Sequence, residues 1–161
     1  MELVALQKVL PDIVALGARL VAISPQLPEH NRELSRSREL GFPILTDRGN
    51  EVATCFGLTF TLPDYLRALY ATFPLDLAKY NGDASWTLPM PARFVIDRGG
   101  VIRSAESDPD YTTRPEDTLG ALRALRGAWR RPATASQALT DQGQRQPEHL
   151  PVVVSSQTFS W

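Results

Sequence analysis

The first 24 residues set the class of fold. Leu3, Leu6, Leu10 and Ile13 recur at helical spacing, so residues 2–16 read as an amphipathic helix. Pro11 falls inside it and is expected to kink or restart it, because proline has no N–H to donate. Gly17 is a stop signal. Ala18 to Ser24 follows at once, a short apolar run with β-branched members that suits a buried strand. A helix feeding such a strand covers one face of a sheet, and the rest of the chain must supply the other strands and the other layer.

The remaining pattern fits that demand. Pro28 opens a polar stretch, residues 29–40, that reads as a solvated helix ending at Gly41. Residues 42–46 read as a second strand, residues 47–50 as turn chemistry, and residues 51–56 as a short helix stopped by Gly57. Residues 58–90 are less regular. Within them Thr61 and Asp64 match a helix start, with Leu62, Leu66, Leu69 and Phe73 as its buried face. Residues 93–96 and 101–103 are β runs flanking the turn Asp97-Arg-Gly-Gly100, which predicts an antiparallel hairpin. Thr113 and Glu116 repeat the cap signature before a helix burying Leu119, Leu122, Leu125 and Trp129. The expected division is a domain over residues 1–131 and a disordered tail over 132–161, since residues 132–149 are rich in Pro, Gln, Ser, Thr and Ala. Pro151 to Val154 has strand composition but no evident partner.

Composition removes several functions. The chain has 161 residues, a net charge of −1 and a sequence pI near 6.1, so no basic surplus exists to neutralise phosphates and nucleic-acid binding is not expected. No apolar run nears the roughly 20 residues of a membrane span. The N-terminus lacks the features of a signal peptide, which points to a cytoplasmic protein. Cys55 is the single cysteine, so no intramolecular disulfide and no cysteine-based zinc site is available. His30 and His149 are far apart, and no metal site or cofactor is expected.

Phe42 to Asp47 followed by Val52 to Gly57 resembles the peroxiredoxin pattern of a strand, an aspartate turn and a helix ending in an aromatic residue and glycine. Pro91 to Asp97 with Gly100-Val-Ile resembles the proline-then-hairpin segment of thioredoxin-fold proteins, and Ala22-Ile-Ser24 fits the strand after the first helix. These motifs cover about residues 2–126 in the expected order. The chain is similar to the alkyl hydroperoxide reductase/thiol-specific antioxidant family, and the Leu58–Met90 insert looks like that of its peroxiredoxin-like branch. The resemblance implies an α/β, thioredoxin-like three-layer fold that is incomplete at the N-terminus. In that family a strand precedes the first helix, and the peroxide-reducing cysteine sits at that helix's N-terminus. Neither the strand, which would lie between the Leu20–Ser24 and Phe94–Asp97 strands, nor the cysteine loop has a counterpart ahead of Glu2.

No residue is therefore assigned a catalytic role. Cys55 is the candidate redox residue. It lies late in a short helix, and Val52, Cys55 and Phe56 at i, i+3 and i+4 share an apolar face, so it reads either as a small buried hydrophobe or as a displaced thiol. By resemblance, Pro91 is a cis proline facing the active site; otherwise it is an ordinary loop proline. Arg93 either lies near that site or faces solvent. The arginines at 123, 126, 130 and 131 read either as cations complementing the end of the last helix or as an anion site. The family's partners would be a hydroperoxide and a thiol reductant. Two functions remain open: a thiol peroxidase by ancestry, inactive in this chain unless Cys55 substitutes or the protein begins upstream, and a non-catalytic interaction module of thioredoxin fold. Loss of the central strand would bare two sheet edges, so the expectation is either a marginally stable monomer or a homodimer that covers the gap through those edges.

Overall fold

The computed structural model describes residues 2–70, 72, 76–107, 115–129 and 150–156. Its frame is a five-stranded mixed sheet. Helix α1 (Glu2–Ala15) runs through Pro11 without interruption, so the expected restart does not occur. It ends in a Schellman motif. Gly17 takes φ 75°, its N–H donates to Val14 O at 2.9 Å, and the Ala18 N–H donates to Ile13 O at 3.1 Å. That tight turn drops the chain into strand β1 (Arg19–Ser24). Helix α2 (Pro28–Ser37) buries only Asn31, in keeping with its polar sequence. Strand β2 (Ile44–Thr46) pairs parallel with β1 at one edge of the sheet.

After a 3₁₀ turn at Arg48–Asn50 comes the one-turn helix α3 (Glu51–Cys55). The insert contains a two-stranded antiparallel ribbon that sequence periodicity did not announce, β3 (Thr59–Thr61) and β4 (Thr87–Pro89). Between them lie α4 (Asp64–Tyr70) and α5 (Leu77–Asn81). Thr61 belongs to β3 rather than to a helix cap, and α4 buries none of its residues. Leu69 is exposed, while Leu62 precedes α4 and packs in a small cluster with Leu77 and Leu88. Phe73 lies outside the described residues. The insert docks on the start of α2 through a bond from the Leu27 N–H to Tyr80 O at 2.8 Å and a His30–Tyr80 ring contact at 4.5 Å.

The predicted hairpin is β5 (Ala92–Ile96) against β6 (Ile102–Ser107), with a register shift between Val95 and Ile96. Helix α6 (Pro115–Trp129) buries Leu119 and Leu122 with α1 on the first sheet face. The side chain of Trp129 lies outside the described set.

The middle of the sheet departs most from expectation. Strand β7 (Val152–Ser156) lies between β1 and β5, parallel to the first and antiparallel to the second, giving the order β2-β1-β7-β5-β6. Pro151 to Val154 therefore has two partners, not none. The edges expected to be bare are both paired, which removes the premise for a dimer through them. Val153 stands opposite Leu20 on one side and Val95 on the other and is fully buried. The fold is the expected thioredoxin-like three-layer α/β architecture, with its central position filled from the C-terminal segment. Residues 132–149 lie outside the described residues.

Candidate functional site

The site is built where β1 and β2 end. The Asp47 N–H donates to Ser24 O at 2.8 Å, which holds the start of the turn against β1. The Asp47 carboxylate is buried and spans two amides of α3: Oδ1 accepts from the Val52 N–H and Oδ2 from the Ala53 N–H, each at 2.9 Å. Bonds of this charge-assisted kind are stronger than neutral ones. Asn50 adopts the left-handed region at φ 58°, a conformation asparagine tolerates, and its Nδ2 donates to Thr87 O at 2.9 Å. Asp47 and Asn50 thus clamp a five-residue helix that would not persist alone.

The clamp sets which face of α3 turns inward. Ala53 packs with Leu58, Ala92 and Phe94 on the second face of the sheet. Phe56 leans on Phe94 with ring centroids 4.9 Å apart. Beside them opens a cavity of about 80 Å³, walled chiefly by Ile23, Val52, Phe56, Phe94 and Val154, with Asp47 at its margin. The wall is almost wholly apolar, and the Asp47 oxygens are engaged by the α3 amides, so the cavity offers an alkyl-sized recess rather than an acid or a base.

The three residues singled out from sequence do not converge here. Cys55 is exposed, not buried. With Asp47 orienting the helix, Ala53 takes the inward position, Val52 (43% exposed) and Phe56 (41% exposed) stand at the rim of the cavity, and Cys55 faces away from it. Cys55 does not line the cavity. Pro91 is half-buried just ahead of β5, and no cis peptide bond occurs among the described residues, so the expected cis bond is absent.

Arg93 is neither beside the cavity nor in solvent. It is 4% exposed, and alternation along β5 sends it to the face opposite Phe94. There its Nη1 donates to Thr118 Oγ1 of α6 at 3.2 Å and its Nη2 lies 3.3 Å from Glu106 Oε2, on the residue opposite it in the hairpin. Arg93 pins α6 to the β5–β6 hairpin.

In the sequence Asp47 stands out only as turn chemistry. Its capping role was hidden because the 3₁₀ turn places the acceptor five and six residues before the amides it binds, beyond the spacing of an ordinary cap. Among the described residues no cluster of three or more metal-ligating side chains occurs. Among them, too, no helix is long and apolar enough to cross a membrane.

The order of elements, the Asp47 turn before α3 and the proline ahead of the β5–β6 hairpin are all features a family comparison can test. The AhpC/TSA family model matches residues 1–105. The chain belongs to the AhpC/TSA family. Membership carries the thioredoxin-like fold and, at the level of the family, peroxiredoxin-like redox function. No curated protein matches the chain. The match ends inside β6, so α6 and β7 lie beyond it.

Proposed function

We propose that this chain is a peroxiredoxin-like, thiol-antioxidant protein by family and that it does not itself reduce hydroperoxides. In the family's reaction a thiolate attacks one peroxide oxygen, the O–O bond breaks, an alcohol or water leaves and a sulfenic acid remains for a thiol reductant to restore. That chemistry needs a reactive thiolate, which in the family stands at the head of the helix after the central strand. The observation that supports inactivity is the placement of the sole cysteine, Cys55, at the far end of α3 and outside the apolar cavity. A cytoplasmic location belongs to the same reading, and a hydroperoxide and a thiol reductant would be partners only of an active chain.

The half-exposed Val52 and Phe56 around the cavity favour a second reading, a non-catalytic module that binds through this rim. The test is peroxide consumption with a thiol reductant, for the native chain beside Cys55→Ser. The expected result is no turnover in either. Turnover that disappears in Cys55→Ser would overturn the proposal and make Cys55 a working nucleophile.

A further inference from the structure

The position of β7 is more specific than the filling of a gap requires. Because β1 and β5 run in opposite directions, a strand between them can pair with both whichever way it points: parallel to one and antiparallel to the other. β7 runs with β1 and ends opposite it, Ser156 standing against Ile23. Helix α1 runs back along β1 from the Gly17 turn. Its 14 residues span about 21 Å at about 1.5 Å each, and the six residues of β1 span about 20 Å at about 3.3 Å each. The head of α1 therefore returns to the level at which β1 and β7 end. Leu3, near that head, packs in the same core as Ala22 and Val153.

We infer that β7 is the strand that leads into α1 in the fold's β-α-β order, carried in this chain at the opposite end of the sequence. The end of β7 and the head of α1 are separated by one layer, on the order of 10 Å, and one strand spacing of about 5 Å. Side-chain alternation agrees. Val153 faces α1 and α6, while Val154 faces α3 and the cavity, so β7 carries the pattern of a strand covered by helices on both faces. The family match also stops before β7, as it would for a strand out of the family's order. This inference deepens the proposed function, on which its functional meaning rests: β7 takes the place of the strand that precedes the thiol-bearing helix in the family, and its Val154 lines the cavity.

Two measurements test it, and neither reads peroxide, so its failure is separable from failure of the functional proposal. In the first, residues 150–161 are moved ahead of Met1 with all 161 residues kept. The reordered chain is expected to melt cooperatively, with a midpoint within a few degrees of the native order, and Val153→Asp is expected to unfold both. In the second, the native order carries Glu2→Cys and Ser156→Cys with Cys55→Ser, and a bismaleimide reaching about 10–13 Å, matched to the layer spacing, is added. Intramolecular cross-linking in most molecules is expected, with loss of the cross-link when Val153→Asp is added. A reordered chain without a cooperative melt, or native-order ends that do not cross-link, overturns the inference.

Discussion

Truncating Val153 to alanine measures how much of the domain rests on β7. The side chain is fully buried between Leu20 and Val95, in the core shared by α1 and α6. Val→Ala removes two carbon groups at about 0.8 kcal/mol each, and a residual cavity adds to this, because backbone pairing on both sides of β7 limits collapse. The expected loss is about 2–3 kcal/mol. For a domain of this size, at about 2–4 °C per kcal/mol, the melting midpoint should fall by roughly 5–10 °C. The assay is a thermal melt followed by far-UV circular dichroism, with Val14→Ala as the comparison. Val14 is 60% exposed in α1, so its truncation should stay within about 0.5 kcal/mol. A shift below about 2 °C for Val153→Ala, measured against that expectation, would refute the reasoning and remove β7 from the centre of the sheet.

Other substitutions probe the rest of the structure. Arg93→Ala should lower stability by about 2–3 kcal/mol in urea titration, because it strands Glu106 and releases Thr118, and Arg93→Lys should recover only part of the loss. Asp47→Ala should cost about 2 kcal/mol and raise hydrogen exchange at the Val52 and Ala53 amides, while Asp47→Asn retains part of the cap. Asp97 titrates below its ordinary value of 3.8, chiefly because its carboxylate accepts from the Val101 N–H and then from Arg103. A depressed carboxylate stabilises the fold above its unfolded value and loses that contribution as pH falls through the folded value. The native urea midpoint should therefore drop more between pH 5 and pH 2 than that of Asp97→Asn.

What was legible in the sequence was local. Leu3, Leu6 and Ile13 are buried as their spacing implied, and the Asp97 turn joins the two strands it was expected to join. Periodicity works there because each residue's neighbours in space are set by its neighbours in sequence. Arg93 and Cys55 were misplaced for the opposite reason. Whether a strand arginine meets solvent depends on what covers that face, and here it is α6, whose Thr118 lies 25 residues away. Whether a one-turn helix buries a given residue depends on how it is held, and here the two oxygens of Asp47 turn Ala53 inward, leaving Val52 and Phe56 at the cavity rim and Cys55 exposed.

The same reasoning explains β7 and gives it its weight. Val152 to Val154 has the composition of a strand, yet a strand is defined by partners, and those partners, β1 and β5, lie more than 50 residues upstream. Reading along the chain, the segment follows a polar, proline-bearing stretch and has nothing beside it to pair with. The demand for it arises elsewhere: β1 and β5 each bury apolar side chains and each needs a hydrogen-bonding partner on its inner edge. The two readings, a vacancy in the sheet and an unpartnered valine run, are halves of one fact. A central strand buried on both faces is the most demanding position in a three-layer fold. Direction, register and alternation are all satisfied there by residues 152–156, which makes β7 part of the domain's core architecture.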